Sequence, residues 1–124
     1  MKTMDVLILT GFLLFALSCW ALYYVHRPGA QRMVPRHWVW IAILSGVGLG
    51  CLAFNMKISP APTLQVQGVP LPVVIFELDE QDGRWRDYVG WTTVVFGVAN
   101  FVIGFGIPHM LMAITIFFRK RSAS

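Results

Sequence analysis

Charge is scarce in this chain: 13% of its 124 residues are charged against 56% hydrophobic, and the mean hydropathy is +0.64. That balance excludes an ordinary soluble surface, which carries about a quarter of charged residues. Only two cysteines occur, Cys19 and Cys51. They form no Cys-x-x-Cys pair and read as small apolar packing residues. Also missing are a glycine-rich phosphate loop, a nucleophile elbow, a run of charges within the apolar segments and an internal repeat. These absences remove phosphate-cradling, esterase-type, ion-path and duplicated-transporter readings. No motif here carries chemistry, so a non-enzyme is expected.

What is present is a set of three apolar runs, residues 6–25, 38–56 and 91–118. At about 1.5 Å per residue, some 20 helical residues match a hydrocarbon core of about 30 Å. The expected fold class is an all-α membrane protein, a single three-helix membrane domain over residues 1–124. A short ordered extracytoplasmic loop, about 57–87, joins the second and third helices. A signal peptide is the alternative for the first run. Against it, the apolar stretch continues through Trp20, Ala21, Leu22, Tyr23 and Tyr24 without a small-residue cleavage site, and Lys2 at the amino terminus is offset by Asp5. His26-Arg27-Pro28-Gly29 ends that helix, because proline restricts the residue before it and glycine frees the backbone. The third run, counted from Tyr88, is about 31 residues or about 46 Å, longer than a membrane needs. Its first turns are expected to project or to lie along the interface, with Trp85, Tyr88 and Trp91 at headgroup level.

Charges between the runs are sorted by sign. Arg27, Arg32 and Arg36 fill the first connection and Arg119, Lys120 and Arg121 the tail, while Glu77, Asp79, Glu80, Asp82 and Asp87 sit in the second connection. Basic residues accumulate in cytoplasmic loops, so Met1 and the second connection are expected outside an inner, cell membrane and the tail in the cytoplasm. The net charge of +4 resides in clusters abutting apolar spans. Lipid headgroups are the partner this suits, rather than nucleic acid.

Small residues mark helix-packing faces. Ala42, Gly46 and Gly50 form a narrow stripe at four-residue spacing, and Gly97, Asn100, Gly104 and Pro108 share a face of the third run. Such stripes allow close backbone approach in lipid. The first expectation is contact within this chain, the second contact with another subunit. Asn100 is expected to be hydrogen-bonded rather than to face lipid.

The outer loop looks ordered. Ser59-Pro60-Ala61-Pro62 favours stiff polyproline geometry. Leu64-Gln65-Val66-Gln67 alternates like a half-buried strand, and Val73-Val74-Ile75-Phe76 is strongly strand-prone and needs cover from the bundle mouth, the membrane surface or a partner. Asp82-Gly83 suits a two-residue hairpin turn, which sets Gln81 opposite Arg84, Glu80 opposite Trp85, and Asp79 opposite Arg86 as an ion pair. The carboxylates are then solvated hairpin charges. They lack the spacing of a calcium loop.

His109 is the remaining candidate for chemistry. Counted back from Arg119 it lies about 15 Å deep, near the bilayer midplane, where ionisable groups are costly. The structural account is a hydrogen bond to the Gly104 carbonyl freed by Pro108. The functional alternatives are ligation of haem or chlorophyll, or bonding of a quinone. His26 and His37 count as a half-membrane away, so pairing within the chain is not expected, and bulky Leu22 and Phe105 stand where a pigment ring needs space. The leading functional expectation is therefore an accessory subunit of a larger membrane protein complex. It would contact neighbours through the small-residue faces and through Val73, Val74, Ile75, Phe76 and Trp85. A cofactor-binding anchor using His109 and a holin-like homo-oligomeric pore are the alternatives.

Overall fold

The structure, a computed structural model, describes residues 3–123; Met1 and Lys2, used above for orientation and against a signal peptide, lie outside the described residues. Helix α1 covers Thr3–His26 and stops where Arg27 turns extended ahead of Pro28. A short helix α2, Pro28–Gln31, leads to α3, Arg36–Asn55. Four strands follow, β1 (Lys57–Ala61), β2 (Leu64–Gln67), β3 (Val74–Asp79) and β4 (Arg84–Tyr88), and then α4, Trp91–Ser122. Three of the helices, α1, α3 and α4, are long and apolar enough to cross a membrane. The chain is thus mostly helical with a small antiparallel sheet, as a membrane protein can be.

Helix α4 is the centre of the helical layer. It packs along both α1 and α3, which scarcely touch each other. On the α3 side, large and small residues alternate across the contact. A methyl at Gly46 would stand 2.7 Å from the Phe105 carbonyl oxygen, one at Gly50 2.8 Å from the Phe101 ring, and one at Gly97 2.7 Å from the Phe54 ring. Gly104 approaches backbone directly, with Leu49 O 2.5 Å from the place a Cβ would take. Gly46 and Gly50 of the stripe and Gly97 and Gly104 of the facing helix are therefore occupied inside the chain, as close packing in an apolar solvent favours. Helix α1 lies parallel to α4 on the other side, with Ser18 against Gly106 and Ala21 and Val25 packed with Ala113 and Ile116. Cys19 and Cys51 correct the packing expectation: both are free and exposed, on the outward helix faces.

The sheet is a meander in the order β1-β2-β3-β4, larger than the single hairpin expected. Residues 57–61 form an edge strand rather than a polyproline segment, since Lys57 and Ile58 pair with Gln67 and Val66 before the register breaks near Pro60. Proline is tolerated at such an edge because its missing N–H faces away from the ladder. The β3-β4 turn also differs from the two-residue expectation. Asp79 pairs with Arg84, Leu78 with Trp85 and Glu77 with Arg86, so four residues, 80–83, make the turn. Asp79 causes the shift: its carboxylate accepts the Gln81 N–H at 3.0 Å, its carbonyl accepts the Gly83 N–H at 2.7 Å, and Gly83 takes φ +65. That left-handed geometry suits glycine. The Asp79–Arg86 ion pair still forms, now diagonally, at 2.6 Å. Tyr88, expected to begin the third helical run, instead closes β4 and donates its hydroxyl to Glu77 at 3.1 Å. That carboxylate holds the phenol above its ordinary pKa of 10.0, first through the hydrogen bond and then through its charge. Helix α4 begins after Gly90, whose N–H bonds the Thr93 hydroxyl at 3.0 Å.

Candidate functional site

Two buried polar positions on α4 organise the molecule. The first is Asn100, which has no exposed surface. Its Oδ1 accepts the Leu71 N–H at 2.9 Å and its Nδ2 donates to the Leu71 carbonyl at 2.6 Å. One side-chain amide thus satisfies both backbone groups of a single loop residue. Leu71 stands between Pro70 and Pro72, so neither sequence neighbour offers an N–H, and the segment cannot continue a ladder. Its side chain is fully buried against Ala99 and Ile103, with Ile8, Leu14, Phe15 and Phe96 around it. Gly11 on α1 leaves the space that the Leu71 side chain fills.

The rest of the loop is anchored at the end of α3. Gly68 N–H reaches the Met56 carbonyl at 2.7 Å and Val69 N–H the Ala53 carbonyl at 2.9 Å. Gly68 has φ +94 and packs against Val73 and the Asn100 amide, so a side chain there is excluded by both conformation and space. Val66, Leu71 and Val73 are all buried. Of these, Leu71 is covered by the helices, through Ala99 and Ile103 of α4. Val74, Ile75 and Phe76 are half-buried in β3, enclosed between β2 and β4. Trp85 on β4 stays exposed.

The second position is His109. Its Nδ1 lies 2.9 Å from the Phe105 carbonyl, four residues back, and not on Gly104, whose face is given over to α3. A carbonyl only accepts, so Nδ1 donates its proton to it. Nε2 is buried and has no hydrogen-bond partner among the described residues. His26 corrects the depth count. Its ring lies 5.1 Å from that of His109, although the two were separated by a half-membrane when counted along each helix. Ser18 meets Gly106, and Ala21 and Val25 pack with Ala113 and Ile116, so the ends of α1 and α4 run side by side and bring His26 to the His109 ring.

Around His109 the Phe105 ring stands 4.8 Å from the imidazole and the His26 ring 5.1 Å from it, and Nε2 is enclosed between them and the surrounding helices. No group of three or more His, Cys, Asp or Glu residues able to hold a metal occurs among the described residues. No protein family, curated protein or solved structure matches this chain.

Leu71, Gly68, Gly11, Ser18 and Gly106 were not singled out from the sequence. A signal for two of them was there: Gly11 and Ser18, with Ala21 and Val25, mark one face of the first run at helical spacing, and all are buried. Leu71 offered only its place between two prolines.

Proposed function

We propose that the chain is a non-catalytic accessory subunit of a larger membrane protein complex, with its sheet outside the membrane and its basic tail in the cytoplasm. The carrying observation is β4. It is an edge strand whose five residues are all exposed, including Trp85 and Tyr88, and exposed Val89 and Trp91 continue the surface. The opposite edge, β1, is blunted by Pro60 and a register break. Strand β4 has neither, and its Arg86 is neutralised by Asp79 and Asp82. A regular open edge is a template for strand addition by a partner. Because Gly46, Gly50, Gly97 and Gly104 are filled within the chain, the neighbour meets this edge and the outward faces of α1 and α3, where Leu13, Trp20 and Leu44 are exposed. A cofactor anchor has less support, since the His109 Nε2 is enclosed.

Placing a photo-crosslinking residue at Trp85 in native membranes tests this reading. A heterologous adduct is expected; a monomer with no adduct counts against the proposal, and an adduct of twice the chain mass favours the homo-oligomeric alternative. Orientation is tested separately. In a background with Cys19 and Cys51 replaced by alanine, Glu80→Cys, in the exposed β3–β4 turn, reacts with a membrane-impermeant maleimide on intact cells. Ser122→Cys does so only after the membrane is opened, and the reverse pattern would invert the topology.

A further inference from the structure

The α3–α4 seam does not run the full length of these helices. Past Gly46 and Phe105 they part, at Ala42 and Pro108, and leave a groove of ≈ 370 Å³ lined by Trp38, Ile41 and Leu111. Its hydroxyls are spent on their own helices: Ser45 donates to the Ile41 carbonyl at 2.7 Å and Thr115 to the Leu111 carbonyl at 2.9 Å. The walls are therefore effectively apolar. At the rim, Arg119 lies against the connection, donating from Nη1 to the Met33 carbonyl at 3.3 Å.

We propose that this groove seats one anionic phospholipid of the surrounding bilayer, with an acyl chain in the trough and the phosphate on Arg119. The proposal rests on the membrane placement above. An apolar trough facing hydrocarbon fills with a lipid tail, because an empty one forfeits dispersion contacts on both walls. The choice of headgroup comes from the rim. Arginine presents five donors in a planar fork, so one bond to Met33 holds the guanidinium in place while others meet phosphate. Basic pockets between membrane helices on the cytoplasmic side take acidic headgroups in this way. Lys120, by contrast, lines a different surface with Trp20, Tyr24 and Arg27, between α1 and α4.

The protein is reconstituted in vesicles of equal phosphatidylcholine and phosphatidylglycerol, extracted in mild detergent, and the intact protein–lipid particles are weighed. Phosphatidylglycerol is retained in preference. Retention falls about tenfold in Arg119→Gln, the loss of a charge-assisted contact. It falls likewise in Ser45→Phe, which fills the trough with every charge intact, and holds in Lys120→Gln. Equal retention of both lipids overturns the proposal, as does equal loss in Arg119→Gln and Lys120→Gln, or full retention in Ser45→Phe. Protein that needs no detergent to leave the vesicles overturns the membrane placement itself, whereas vesicle-bound protein without retained phosphatidylglycerol overturns the lipid seat alone.

Discussion

Asn100→Leu is expected to unseat Leu71 and free the segment between β2 and β3 while the helices stay assembled. The substitution preserves approximate volume and removes both hydrogen bonds, at 2.9 and 2.6 Å, that satisfy the Leu71 backbone. Leaving a buried N–H and a buried carbonyl unpaired costs about 1–3 kcal/mol each. Keeping the Leu71 side chain buried returns only about 1.5–3 kcal/mol. Two unpaired groups together outweigh one buried side chain, so the loop opens and both regain partners in water. Hydrogen exchange reads this directly: in the native protein the Leu71 amide is protected, and in the variant it exchanges at the rate of an open loop. Asn55→Ala is the comparison, because Asn55 bonds only its own helix at Cys51 O in an exposed position. Protection at Leu71 that survives Asn100→Leu would show that apolar packing alone seats the loop.

Gly104→Ala is expected to carry the other large effect. The added methyl would lie 2.5 Å from the Leu49 carbonyl oxygen and 2.7 Å from both Cα and N of Gly50. Those neighbours are backbone, so no side chain can swing aside, and α3 and α4 must separate along their length. Overpacking of this kind costs about 1–3 kcal/mol or more, against about 1 kcal/mol regained from the better helix propensity of alanine. Thermal unfolding in detergent should show a clear loss for Gly104→Ala. Gly48→Ala, where a methyl meets nothing within 4 Å, should be neutral or slightly stabilising. Equal midpoints for the two variants would remove the α3–α4 contact as a source of stability.

Much of this architecture could be read from residue order, and the exceptions have physical causes. The long helices were legible because apolar length is a local property: 6–25, 38–56 and 91–118 correspond to Thr3–His26, Arg36–Asn55 and Trp91–Ser122. Small-residue spacing also located the α3–α4 contact. What failed involved side chains acting across segments. The β3–β4 turn lengthened because the Asp79 carboxylate captured the Gln81 amide, a choice invisible to dipeptide turn preference. The contact of His26 with His109 escaped a depth count made along each helix separately, because it depends on how α1 and α4 are set side by side. Asn100 was recognised as hydrogen-bonded, but its partner, Leu71, lies 29 residues away, and nothing local to either residue names the other.

The alternation across α3 and α4 also decides how these two helices find each other after the intervening strands are made. Sliding one helix past the other by about four residues, a single turn, would set Phe54 on Phe101, a clash, in one direction, and Gly50 on Gly97, a void, in the other. With Gly46 on Phe105, Gly50 on Phe101 and Phe54 on Gly97, one alignment alone interlocks. The pair behaves as a keyed joint with a single seating, and a bulkier residue at Gly97 needs a matching reduction in Phe54, which it faces.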